Sequence, residues 1–253
     1  MFTVRIPIFI TIKTDDEETK ARNVELLPYA FDYLRYHQVI DNCVVICRDD
    51  SILRYAEDLG FKHIHKEICK NCEHCNLSVN GIFHYITETK MKSDWFIVFN
   101  LNQPFKSKNI LTDSIRQIDY NQDFLISSSL VRNIRGLMVS ENCEFIEDTN
   151  LEELRIYDNC ETVRIVDSSI ICIKTEYFLK CMEYKECKDL NEFYHKLWQG
   201  RYKLISNRSC FINVISEKQV ENFRLAADII KRVEHLPKYK DKDYESLNEE
   251  SLD

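Results

Sequence analysis

Two runs dense in β-branched residues, VRIPIFITIK from residue 4 and CVVIC from residue 43, bracket one helical segment, VELLPYAFDYLRYH. Branching at Cβ favours extended backbone, so each run reads as a buried strand. Strand, polar loop (TDDEETKARN), helix and strand are thus laid down within the first fifty residues. That order opens a doubly wound sheet, in which parallel strands gather ligands beyond their carboxyl ends. What the first loop can hold decides most of the functional question.

The pattern repeats along the chain. After Cys47 comes a polar turn, Arg48-Asp49-Asp50, then a helix over 51–59 that stops at Gly60, where a left-handed cap belongs. Asp49 and Asp50 read as caps of that helix rather than as metal ligands. FKHIHKEI is a short third strand, residues 79–92 a helix, residues 95–99 a central strand, residues 111–118 a helix and DFLISSSLVR a further strand. Residues 133–148 then read as a two-stranded hairpin standing off the sheet. VDSSIICIKTEYFLKC returns to strand and helix. CFINVISEKQVENFRLAADIIKRVEHL supplies a last strand and an amphipathic helix with Val220, Phe223, Ala226, Ala227 and Ile230 on one face. Residues 1–236 form a single α/β domain on this reading, and the polar residues 237–253 a tail.

Composition limits the chemistry. Only 4 of the 253 residues are glycine, where average usage of about 7% would give roughly eighteen. A glycine-rich phosphate loop brings backbone N–H groups close to a pyrophosphate, and no segment here could form one. A net charge of -8 argues against a broad nucleic-acid or anionic-membrane surface. There is no run of eighteen apolar residues and no secretion signal, so a cytoplasmic protein is expected. Several of the 11 cysteines, among them Cys43, Cys47 and Cys172, fall inside apolar strands, where a thiol acts as a small hydrophobe.

With strands and loops placed, residues 4–231 resemble the acylneuraminate cytidylyltransferases, the CMP-sugar synthetases. That family opens with a strand running into Pro-Ala-Arg-Gly-Gly-Ser-Lys, then Lys-Asn and a helix near a proline; here TIKTDDEETKARN precedes Pro28, with Arg22-Asn23 at the Lys-Asn place. The family's Ser-Thr-Asp-Asp before a helix ending in Gly is similar to CRDDSILRYAEDLG. Its Gln-Pro-Thr-Ser-Pro-Leu-Arg resembles NLNQPFK, its Asn-Gly-Ala-Ile-Tyr-Ile resembles DSSIICI, and its closing Ile-Asp-Ile-Asp resembles INVISEK. The resemblance implies a three-layer α/β/α sandwich with a mostly parallel sheet like that of nucleotide-diphospho-sugar transferases and a protruding β-hairpin. It further implies transfer of CMP from CTP to a sugar acid with release of pyrophosphate, dependent on magnesium, in a homodimer. Lys13, Arg22, Asn23 and Lys106 become the nucleotide-site candidates, and Asn100 and Gln103 the candidates for hydrogen bonding a sugar or acyl group.

Two departures bear on catalysis. Asp15, Asp16 and Glu17 stand where the family has Gly, Ser and Lys. Two unit charges about 6 Å apart at an effective dielectric near 20 repel by roughly 3 kcal/mol, so these carboxylates oppose a triphosphate unless a cation lies between. Asn213 and Ile215 replace the paired aspartates that hold magnesium in the family. Either metal and phosphate are held by other residues, with Asp15, Asp16 and Glu17 the available replacements, or the chain is a non-catalytic relative that binds a sugar, nucleotide or protein partner. A nucleotide-sugar-using transferase of related topology is a third option, but NLNQ lacks the Asp-x-Asp pair it needs.

HIHKEICKNCEHC stands apart. Cys69, Cys72 and Cys75 at three-residue spacing, with His65 close by, are sufficient ligands for tetrahedral zinc; an exposed loop of reduced thiols is the alternative. No nucleophile-elbow motif occurs. His37, His84, His195 and His235 fall singly in helix-like segments, and the aromatics are not interleaved with basic residues as in a nucleic-acid groove.

Overall fold

The computed structural model describes residues 6–14, 16–66, 78–104, 106–132, 162–187, 190–207 and 224. Among these residues seven strands form one sheet: β1 (Ile8–Ile12), β2 (Cys43–Cys47), β3 (His63–Lys66), β4 (Trp95–Phe99), β5 (Phe124–Arg132), β6 (Thr162–Lys174) and β7 (Tyr202–Asn207), in the order β3-β2-β1-β4-β6-β5-β7. Four pairings are parallel, and β6 runs antiparallel to both β4 and β5. Arg132, at the end of β5, pairs with Thr162, at the start of β6. The expected hairpin at 133–148 and the strand and helix beyond residue 207 lie outside the described residues, as does the tail.

Six α-helices among the described residues cover the sheet: α1 (Glu17–Tyr36), α2 (Asp50–Leu59), α3 (Ser78–Thr89), α4 (Ile110–Arg116), α5 (Thr175–Cys181) and α6 (Leu190–Leu197). Strand side chains alternate between faces, and so two cores form. Ile8, Ile10, Val45, Ile97 and Leu125 meet Leu27 and Leu34 of α1, Ile52 and Ala56 of α2 and Ile110 of α4. Phe9, Ile46, Phe96, Phe124 and Ile173 meet Ile82 and Ile86 of α3, Phe178 of α5 and Phe193 of α6 on the other side. The result is the three-layer α/β/α sandwich expected from the sequence. Phe9, Phe96, Phe124 and Phe178 are fully buried, each stabilising the fold by about 2–3 kcal/mol.

Two local outcomes differ from the sequence reading. The stretch expected as a polar loop over 14–23 is mostly helix: α1 starts at Glu17 with Asp16 as its cap. Asp16 at the cap and Glu17 and Glu18 in the first turn suit the positive helix end, and Pro28, which removes one ladder donor, sits inside the helix. Its buried stripe of Leu26, Leu27, Ala30 and Leu34 keeps the helix on the sheet past that gap. Strand β7 was absent from the sequence reading. Only Ile205 and Asn207 are buried along it, because it forms an edge among the described strands. Gly60 behaves as expected, capping α2 at φ 108°.

Candidate functional site

The carboxyl ends of β1, β2 and β4 bring three connections to one rim. Because β6 is antiparallel, its residues Asp167, Ser168 and Ser169 arrive at the same rim mid-strand; Asn100 N–H donates to the Ser169 carbonyl at 3.1 Å.

After β1 the chain turns through Lys13 and Thr14 into Asp16. Asp16 Oδ1 accepts the Thr19 backbone N–H at 2.6 Å, and Thr19 Oγ1 donates to Oδ2 at 3.1 Å. The Thr19 N–H, aided by the Arg22 guanidinium, holds the Asp16 carboxyl below its ordinary value. The helix N-terminus, where a phosphate would find free N–H groups, therefore carries its own carboxylate. Asn23 is 3% exposed, and its Nδ2 donates to the Lys13 carbonyl at 2.7 Å, closing the turn. Lys13 is exposed, and Arg22 lies half-buried on α1.

The second connection caps α2: Asp49 Oδ1 accepts Ser51 N–H at 2.7 Å and the Ser51 hydroxyl at 2.5 Å. Lys20 Nζ of α1 lies 2.6 Å from Asp49 Oδ2. This contact, with Ser51, holds the Asp49 carboxyl far below its ordinary value and raises Lys20. Asp50 takes Lys66 of β3 at 2.7 Å. A cleft of about 520 Å³ lined by Asp50, Leu53, Arg54, Glu57, Ile64 and Lys66 opens beside this pair.

The third connection, after β4, is the most ordered. Asn100 Oδ1 accepts Asn102 N–H at 3.0 Å. Lys106 points inward: Nζ donates to the carbonyls of Asn100, at 2.8 Å, and Gln103, and stands 3.8 Å from the Phe99 ring centroid. Burial pushes the Lys106 ammonium down to about 7, against the attraction of Asp167. Asp167, 4% exposed, accepts from Ser127 Oγ, Ser129 Oγ at 2.5 Å, Ser169 N–H at 2.8 Å and Asn207 Nδ2 at 3.2 Å. Asn207 Oδ1 in turn accepts Ser107 N–H at 3.0 Å. Gln103, only 3% exposed, sits on the same turn, its backbone N–H donating to the Asn100 carbonyl at 3.4 Å.

The sequence candidates thus divide. Asn100, Gln103 and Lys106 share the β4 connection, and Lys13, Arg22 and Asn23 the β1 connection. Asp15, Cys69, Cys72, Cys75 and Asn213 lie outside the described residues. His65 lies on β3, edge-on to Tyr85, with Nε2 3.9 Å from Glu88. The buried Asp167 network was missed. Its signal was in the sequence: SSS and DSS interrupt two otherwise apolar strands, and polar residues in buried strands call for one another.

Magnesium finds little among these groups. No cluster of three or more His, Cys, Asp or Glu side chains able to hold a metal occurs among the described residues. Asp16 and Asp49 are already committed to helix caps and Lys20.

No protein-family model and no curated protein matches the sequence. Solved structures do match in shape. A CMP:2-keto-3-deoxy-manno-octonic acid synthetase complexed with CTP superposes with a TM-score of 0.60 at 7% identity, over 89% of this chain and 99% of that one. The fold is that of the nucleotidyltransferases. A 4-diphosphocytidyl-2C-methyl-D-erythritol synthase from Anaerococcus prevotii gives 0.57 at 12% identity, over 88% and 96%. A putative glucose-1-phosphate thymidylyltransferase from Bacillus anthracis gives 0.57 at 10%, over 88% and 95%. No helix among the described residues is long and apolar enough to cross a membrane.

Proposed function

We propose that this chain takes a cytidine nucleotide at the rim formed by the β1, β2 and β4 connections, and that its reaction is transfer of CMP from CTP to a sugar acid with release of pyrophosphate. The observation that carries this reading is the ordered β4 connection, which sets Asn100 and Gln103 on one turn at this rim, on a fold shared with cytidylyltransferases. In such a reaction the protein aligns an acceptor hydroxyl with the α-phosphate and needs no covalent intermediate. Gln103 and Asn100 would orient the acceptor, and the exposed Lys13 would offset phosphate charge. Magnesium, where present, would neutralise the leaving pyrophosphate; the described carboxylates do not form a seat for it.

Binding without transfer is favoured by one specific observation: the Asp16 carboxylate fills the helix end a triphosphate would use. Thermal melting with CTP, with and without magnesium, and pyrophosphate release over a panel of sugar acids separate the two. A melting shift with release supports transfer, and a shift without release supports binding alone. No shift with any nucleotide sinks transfer and favours a non-catalytic relative that binds a sugar or a protein partner.

A zinc ion on Cys69, Cys72, Cys75 and His65 is proposed on separate grounds. His65 Nε2 is buried without a hydrogen bond among the described residues, and burial lowers its pKa, so the ring is in its neutral, metal-ligating form. Less than about half an equivalent of zinc in the purified protein would retire it.

A further inference from the structure

We infer that Lys106 is a positioning residue, a tethered ammonium that fixes the turn presenting Gln103 and Asn100 to the acceptor. This inference rests on the acceptor role proposed above for those two side chains. Its ground is the geometry of the β4 connection. Nζ bridges two carbonyls of one turn, those of Asn100 and Gln103, while the face of Phe99, at the end of β4, lies against it at 3.8 Å. Carbonyl oxygens and an aromatic face are a seat for a cation. The chain fills that seat from within, by a side chain three residues further along.

The turn is then stapled at both ends to the far half of the sheet. Asn100 N–H reaches the Ser169 carbonyl, and Ser107 N–H reaches Asn207 Oδ1, whose amide nitrogen serves Asp167. Tyr33 of α1 adds a third tie, donating its hydroxyl to the Ser107 carbonyl at 3.1 Å. Each staple holds an end, and Lys106 ties the middle, where Gln103 sits and where Asn102 N–H also reaches Asn100 Oδ1. A side chain positioned by its own backbone is only as well placed as that backbone.

The experiment uses the full chain. Amide hydrogen exchange is compared for the wild type, Lys106→Met and Lys106→Ala, the last with methylammonium chloride or sodium chloride at equal ionic strength. Exchange at Asn102 and Gln103 should accelerate about tenfold in both variants while amides of β1 and β2 keep their rates. Methylammonium, but not sodium, should return Lys106→Ala toward the wild-type rate, an effect that loss of packing alone cannot give. In pyrophosphate release, Lys106→Met should raise KM for the sugar acid about tenfold and leave KM for CTP within about twofold. Unchanged exchange at Gln103 in Lys106→Met, or equal effects of methylammonium and sodium, would overturn the inference. A wild type that releases no pyrophosphate sinks the transfer reading by itself, and the exchange data still decide the role of Lys106.

Discussion

Lys20 Nζ lies 2.6 Å from Asp49 Oδ2, so the first turn of α1 is pinned to the residue that caps α2. Two rim connections that follow different strands are thereby joined by one ion pair. Asparagine caps a helix nearly as well as aspartate but carries no charge, so Asp49→Asn isolates the pairing with Lys20. Lys20 and Ser51 hold the folded-state pKa of Asp49 below its unfolded value. Its stabilising effect is present above the ordinary carboxylate range, near 3.9, and lost as pH falls through the lower folded value. The wild type should be more stable than Asp49→Asn at neutral pH, with the gap closing on acidification below about pH 4. Asp49→Ala, which removes the cap as well, should cost about 1 kcal/mol more. Urea unfolding of the three proteins across that range checks both statements.

Burial lowers the Lys106 pKa to about 7, against an ordinary value near 10.5, with Asp167 opposing the shift. Between those values the unfolded chain holds more protons than the folded protein, so stability should rise with pH across the window. Relative to Lys106→Met, the wild type should gain stability between about pH 7 and pH 10, at no more than about 1.4 kcal/mol per pH unit. Parallel stability curves for the two proteins would show that the buried amine does not titrate there.

Asp16→Ser keeps a capping oxygen and removes the charge at the α1 N-terminus. If CTP phosphates approach that end, the variant should bind CTP roughly two- to fivefold more tightly. Isothermal titration at low ionic strength reads this directly, and unchanged affinity would place the phosphates elsewhere.

Ser168 adopts φ 52° where β6 passes the irregular register with β5. Left-handed backbone costs a residue with a Cβ about 1 kcal/mol or more, partly offset by the greater chain entropy that glycine loses on folding. Ser168→Gly should therefore stabilise by a few tenths to about 1 kcal/mol, seen as a higher melting temperature. Destabilisation would mean that the serine side chain contributes more than the strain removes.

Gly200 has the opposite character. A Cβ there would lie 2.5 Å from the Tyr177 ring, whose hydroxyl donates to the carbonyls of Lys196 and Leu197 at 2.9 and 3.1 Å. Gly200→Ala should displace that ring and cost about 1–3 kcal/mol. Gly200→Ala combined with Tyr177→Phe should not recover the loss, since the ring itself is in the way; melting of the double variant tests this.

How far the sequence could be read depended on what each residue faces. The strands Cys43–Cys47 and Trp95–Phe99 are buried along nearly their whole length, and their β-branched and aromatic runs marked them without ambiguity. Tyr202–Asn207 faces solvent at Tyr202, Lys203, Leu204 and Ser206, so its residues carry no apolar run to read. Asp16 and Glu17 read in the sequence as charges facing a ligand, yet the same charges serve a helix end. Local sequence does not distinguish these two uses, because both place carboxylates beyond a strand. The inward turn of Lys106 was equally illegible: it depends on Phe99 and two carbonyls meeting in space.

Arg132 and Thr162 face each other across β5 and β6, so the two ends of residues 133–161 meet the sheet at one doorway. A splice between those two residues would begin and end on one rung of the β5–β6 ladder. The threshold is a natural graft point, and swapping residues 133–161 for a tight turn would show what the excised passage contributes without rebuilding the frame around it.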